Sequence, residues 1–308
     1  MPVFSRNRAS LFVRLTAVAL LALIAGCGKK NDTDSSGTKS AVVQVKGSDT
    51  MVNLAQAWAE EYKNIKPSVE IEVSGGGSGV GIAALIKGAI SIATASRNMK
   101  KSEIELAEKN TGKTPREYVV GYDALAIYVH KDNPLEEITV EQLAQIYGED
   151  GTIKKWSQLG IKIPGAKRDK ILRISRQSSS GTYEFFREYV LSNKDFELGS
   201  LDMNGSKEVA ELVGNVKTAI GYSGMGYATS HVKMLKIKSS SGISYLPTIE
   251  DTQTRNYPLA RSLLIYTLGE PDDEIKHYIE WIMSEAGQKI VADNGYVPLP
   301  SAKTDLQT

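Results

Sequence analysis

Serine, threonine and glycine gather at three places in this chain. Each place lies where a strand-like run passes into a helix-like one. The first is Gly47-Ser48-Asp49-Thr50, within residues 43–62; the second runs from Ser74 through Gly75-Gly76-Gly77-Ser78-Gly79 to Gly81, within 69–90; the third is Ser178-Ser179-Ser180-Gly181-Thr182, within 171–191. Glycine lets backbone pass close to a ligand. The first turn of a helix carries N–H groups without intrahelical partners and a partial positive charge. Hydroxyls add donors without adding charge. Taken one at a time, each turn reads first as a set of helix caps; the threefold recurrence points to a cage for an anion.

Two arginines extend that reading. Arg176 directly precedes the third turn and Arg97 follows the run SIATAS at 91–96. Guanidinium groups hold tetrahedral oxyanions through paired hydrogen bonds. Arg176 also stands at the carboxyl end of a strand beside a helix start, where α/β proteins bind ligands. Other loop chemistries fit less well. No lysine lies in 74–81, as a nucleotide P-loop requires. Residues 79–84 match G-x-G-x-x-A but lack the acid expected at the next strand end. A serine hydrolase needs a base, yet the three histidines, His130, His231 and His277, lie outside the loops, and no G-x-S-x-G elbow occurs. No His/Asp cluster has metal-ligand spacing. The expectation is a binding protein, with no catalytic residue, metal or cofactor.

These turns need elements to hold them. Leu54, Ala55, Trp58, Ala59 and Tyr62 recur at helical spacing behind the capping side chains of 48–50. Val69, Ile71 and Val73 alternate with Glu70 and Glu72 as a strand. Helices are expected over 82–90, 140–147, 182–191, 206–214 and 272–293, and strands over 91–96, 118–129 and 171–175. Strands alternating with helices argue for an α/β architecture.

Composition sets the class. With 37 Lys and Arg against 36 Asp and Glu, the net charge is +1, so no basic excess suggests nucleic acid. A hydrophobic content of 41% supports a real core, and the body from about residue 41 onward is long enough for two ordinary domains. The amino terminus differs. Arg6, Arg8 and Arg14 precede the apolar run 15–25, then Gly26 and Cys27. A basic start, a short apolar core and small residues make a secretory signal, and eleven residues fall short of the roughly 20 that span a bilayer. Loss of the three arginines with that signal leaves the mature chain near −2. Cys27 is the sole cysteine, and Ile24-Ala25-Gly26-Cys27 resembles a lipobox. The polar stretch 28–40 reads as a tether.

The residues together resemble the phosphate-binding subunits of bacterial phosphate ABC importers. The likeness covers nearly all of 41–300 and is strongest at Arg176-Gln177-Ser178-Ser179-Ser180-Gly181-Thr182, which is similar to that family's Arg-x-x-x-Ser-Gly-Thr loop. The resemblance implies phosphate contacts from Arg176, Ser180, Gly181 and Thr182. It implies Thr50 by side chain and Met51 by backbone N–H from the first loop, Ser78 from the second, and Ser96 with Arg97 after the short strand. Ile220-Gly221-Tyr222 and Tyr257-Pro258-Leu259 resemble further landmarks, with structural roles. One place departs from the best-known members: an Asp that accepts the proton of hydrogen phosphate is replaced by Ser96-Arg97, a pair that another branch carries. The acid beside the loop arginine is replaced by Ser178. Selection of phosphate over sulfate then falls to other groups, Asp49 or backbone carbonyls.

The resemblance also implies a two-lobed periplasmic-binding-protein fold of type II-like form, with the ligand cleft between the lobes. The expected layout is a signal peptide at 1–26, lipidated Cys27 with its tether to 40, lobe I at 41–120 plus 247–308, and lobe II at 121–246. The expected partners are inorganic phosphate, the permease subunits of an ABC importer and, through the lipid, a membrane, with the protein extracytoplasmic in a periplasm or on the outer face of the cell membrane; nucleic acid is not among them. Sulfate, arsenate or molybdate binding, a sensing lipoprotein and a serine hydrolase are the alternatives. If Cys27 is the anchor, Cys27→Ser abolishes lipid labelling and releases the protein into the soluble fraction; a variant that stays on salt-washed membranes would refute this.

Overall fold

The structure is a computed structural model that describes residues 41–300; the signal, Cys27 and the tether lie outside the described residues. Among the described residues, no helix is long and apolar enough to cross a membrane.

The chain starts with β1 (Ala41–Gly47), α1 (Val52–Ile65), β2 (Val69–Ser74), α2 (Ser78–Ile86), β3 (Ile92–Ala95) and α3 (Lys101–Thr111). A long strand, β4 (Pro115–His130), leads to β5 (Glu137–Thr139), α4 (Val140–Tyr147), β6 (Leu172–Arg176), α5 (Gly181–Tyr189), β7 (Leu201–Met203), α6 (Ser206–Asn215) and β8 (Ala219–Gly224). Short strands β9 (Val232–Met234), β10 (Lys236–Lys238) and β11 (Ser244–Tyr245) and helix α7 (Ile249–Gln253) precede the return strand β12 (Ala260–Leu268), and α8 (Asp273–Met283) and α9 (Glu285–Asp293) follow.

The main sheet runs β2-β1-β3-β12-β4-β8-β6-β7. Strands β1, β2 and β3 are parallel, as are β6, β7 and β8. The antiparallel strands β12 and β4 join the two sets. β4 pairs with β12 through Ala124 and exchanges it for β8 from Leu125 onward. Apolar packing divides the same way. Val43, Val45, Leu54, Trp58, Ile92, Leu263 and their neighbours form one core; Leu125, Ile127, Tyr147, Trp156, Phe186, Ile220 and theirs form another. Tyr257 and Leu259 belong to the second core, so the return to the first set of strands comes near Ala260, later than the expected 247.

Local departures have local causes. α2 begins at Ser78, not 82, because half of the glycine-rich run is itself helical. Gly81 lies so close to β1 that a Cβ would sit 2.4 Å from the Lys46 carbonyl oxygen, which a larger residue would forbid. The run 272–293 breaks into α8 and α9 at Ser284, whose hydroxyl caps the second helix. Helix α3 was not expected; its only buried residue is Ala107, so it carries little apolar signal.

α1 is fixed by Trp58, which is 1% exposed and donates from Nε1 to the Gly287 carbonyl at 2.9 Å. Tyr62 packs one turn on against Tyr278 and Trp281. Removing such a side chain leaves a cavity that the surroundings only partly close. Trp58→Ala should therefore lower unfolding free energy by about 3–5 kcal/mol, read as a shift in denaturant midpoint at unchanged slope.

Candidate functional site

The three hydroxyl-rich turns all leave the carboxyl ends of parallel strands, and the fold brings them together. β1 ends tightly on β3: a Cβ on Gly47 would lie 2.1 Å from the Thr94 carbonyl oxygen, and Gly47 has φ +149°. Ser48 then donates its N–H to the Thr94 carbonyl at 2.9 Å, and its hydroxyl to Ser96 Oγ at 3.1 Å. Ser96 N–H donates to Ser78 Oγ at 3.1 Å. The amino terminus of α5 comes directly onto these hydroxyls. A Cβ on Gly181 would stand 2.3 Å from Ser78 Oγ and 2.7 Å from Ser96 Oγ, so only glycine allows the approach. Gly79 N–H donates to the Ser179 carbonyl at 3.0 Å, tying the second turn to the third. Ser180 caps α5 by accepting from Thr182 N–H at 3.1 Å. Thr182 Oγ1 lies 3.0 Å from Thr50 Oγ1.

Ser48, Thr50, Ser78, Ser96, Ser180 and Thr182 are all buried. Buried hydroxyls at the starts of α1, α2 and α5 concentrate donors and positive helix ends in one place. The serines meet hydroxyls and backbone groups, so this cluster lacks the paired base that a nucleophile needs.

Arg176, 1% exposed, lies beside the cluster. Its Nη1 donates to Ser206 Oγ at 2.9 Å, and its Nη2 to the Asn204 carbonyl at 2.9 Å and to Asp49 Oδ2 at 3.2 Å. Its Nε–H has no hydrogen-bond partner among the described residues. Burial pulls its pKa down, and the Asp49 carboxylate opposes that. Asp49 thus supplies the acid that the sequence lacks next to Arg176, from the first turn instead of the third. Its other oxygen accepts the Gly76 N–H at 2.7 Å, while Tyr227 OH donates to its carbonyl at 2.9 Å.

Two expected ligand groups have protein partners in this structure. Arg97 pairs with Glu103 of α3, with both Nη atoms at 2.8 Å from the carboxylate, Nη1 also donates to the Asn98 carbonyl, and its Nε–H has no partner among the described residues. Glu103 accepts the Lys100 N–H at 2.8 Å as well, closing the start of the helix. Burial pushes this carboxyl up, but the Arg97 and Lys100 hydrogen bonds outweigh it and leave its pKa below the ordinary value. The Met51 N–H donates to the Ser48 carbonyl at 3.0 Å, within its own turn.

A further arginine was missed altogether. Arg261 and Asp123 face each other across β12 and β4, both buried. Asp123 Oδ2 accepts from Arg261 Nε at 3.0 Å and Nη2 at 2.7 Å, and Oδ1 accepts from Met225 N–H at 3.0 Å. Burial pushes the Asp123 carboxyl up and the guanidinium opposes it. Arg261 Nη1 reaches Thr182 Oγ1 at 3.1 Å and Nη2 reaches Thr50 Oγ1 at 3.4 Å. A lone acid inside the apolar run 118–129 was a legible signal, since a buried carboxylate needs a cation; which cation was not.

Residues 32–286 match the PBP superfamily domain. The chain is 35% identical over 277 residues to the phosphate-binding protein PstS of Pseudomonas aeruginosa, covering 86% of this chain and 84% of that protein. It is 29% identical to PstS of Bacillus subtilis, over 95% of each. Among solved structures, a protein of Clostridium perfringens assigned as a phosphate ABC transporter substrate-binding protein, with bound phosphate, superposes at a TM-score of 0.74 and 30% identity, covering 84% of this chain and all of that one. An ABC-type phosphate transport receptor of Vibrio cholerae superposes at 0.67 with 28% identity, over 84% of this chain and all of its own length. The sheet that changes partners along β4, the three turns and these likenesses agree: the chain belongs to the PBP superfamily and, within it, to the family of the phosphate-binding proteins PstS.

Proposed function

We propose that this chain captures inorganic phosphate outside the cytoplasm and delivers it to the permease of an ABC importer. One observation carries the reading: the starts of α1, α2 and α5 meet around buried hydroxyls beside Arg176. The names of its relatives and the phosphate bound in the Clostridium structure support the same ligand.

In this reading Thr50, Ser78, Ser96, Ser180, Gly181 and Thr182 surround the oxyanion, and the unpaired Nε of Arg176 is a donor on offer. Arg97 acts on the start of α3, and Met51 on the first turn. Lobe I comprises 41–120 with the chain after β12 begins, and lobe II the segment between; β4 and β12 are the crossings. Cys27 carries the lipid and 28–40 the tether, both beyond the described residues.

Calorimetry of the soluble body with phosphate, sulfate, arsenate and molybdate tests the function. Saturable phosphate binding that outcompetes the others is expected; absence of oxyanion binding refutes it. Hydrogen bonds to a charged group contribute about 1.5–3 kcal/mol each, so Arg176→Ala should weaken phosphate by about 30-fold or more. Ser180→Ala should cost less, because backbone N–H groups of the same turn remain. Arg97→Ala should shift the dissociation constant by less than about threefold while lowering stability by about 1 kcal/mol, as expected for loss of a helix-start contact. A large affinity loss in Arg97→Ala would return that residue to the ligand.

A further inference from the structure

Arg261 is held on two sides by different chemistry. On one side it is clamped by Asp123, its cross-strand neighbour, through Nε and Nη2. On the other, Nη1 donates to Thr182 Oγ1 at the start of α5 and to the Ser96 carbonyl, and Nη2 reaches Thr50 Oγ1 before α1. The Phe185 ring lies 5.5 Å from the guanidinium carbon and bounds it on a third side.

The two threonine oxygens are 3.0 Å apart. A hydroxyl has one proton and two lone pairs. Two such groups left to themselves bond to each other, and one proton is spent on the neighbour. A guanidinium can only donate. By filling a lone pair on each oxygen, it favours turning both protons toward a third acceptor.

Resting on the oxyanion reading above, we infer that Arg261 is a positioning residue that fixes Thr50 and Thr182 as hydrogen-bond donors toward the bound oxyanion without touching the oxyanion itself. Asp123 balances its charge, so what Arg261 contributes is direction. Thr50 and Thr182 lie on turns from the two sets of strands, so this donor pattern exists only while those turns are together. Arg261 thereby links recognition of the ligand to the closed arrangement of the cleft.

The test replaces the whole pair, since removing one partner would strand a buried charge whereas apolar replacement of both is often tolerated. Asp123→Leu/Arg261→Met should melt near the wild-type temperature and bind phosphate about 30-fold or more weakly. In a Thr50→Val/Thr182→Val background the same replacement should cost less than about threefold further, because groups acting through one another are not additive. Additive losses, or wild-type affinity in the pair variant, would overturn the inference. Should the pair variant not fold, Arg261→Lys keeps a cation for Asp123 but not the planar fork; about tenfold weaker phosphate binding is expected, and unchanged affinity overturns the inference. A wild-type chain that binds sulfate or molybdate in place of phosphate, with the same non-additivity, would refute the phosphate reading and support the role of Arg261.

Discussion

A carboxylate and a guanidinium facing each other across two antiparallel strands hold this site together. Asp123 on β4 and Arg261 on β12 sit where β4 exchanges one strand partner for the other. A buried charge is tolerable only when paired and hydrogen-bonded. Asp123 meets that condition through Arg261 and the Met225 N–H, which fixes the start of the short turn after β8. Arg261 meets it through Asp123, two hydroxyls and the Ser96 carbonyl. The pair therefore anchors the crossing strands and the cage at the same point, and neither could be placed without the other.

The local chemistry of the cage was written into the sequence. Gly47, Gly81 and Gly181 stand where a Cβ would collide, and Ser180 caps α5, so the turns could be read from residue types alone. The partners of the charges could not. Asp49 and Arg176 are 127 positions apart, and Asp123 and Arg261 are 138 apart. Such pairings follow from the sheet order, which local patterns do not reveal. Arg97 shows the same limit at short range: its place after β3 is visible in the sequence, but its pairing with Glu103, six residues on, through both Nη atoms is not. Helix α3 escaped notice for a related reason, since a helix with one buried residue leaves little periodic trace.

The long strand β4 does two jobs that usually fall to separate elements. Its first part pairs with β12 and its second with β8, so it belongs to both cores. Tyr257 and Leu259, read only as landmarks, pack into the second core just before the chain turns back. Tyr257 OH donates to the Leu125 carbonyl at 2.9 Å, at the residue where β4 changes partner. The return is thus pinned to the outgoing strand at the exchange point.

Three arginines near the cage are each paired with an acid: Arg97 with Glu103, Arg176 with Asp49 and Arg261 with Asp123. Opposite charges a few ångströms apart form dipoles, whose field decays much faster with distance than that of a lone ion. At physiological ionic strength the remainder is screened within about 8 Å. These three pairs therefore draw an approaching anion little until it reaches the cleft, and their share of its rate of encounter should depend little on dissolved salt. Discrimination among oxyanions of equal charge is left to oxygen spacing and the direction of hydroxyl protons, which the surrounding medium cannot screen.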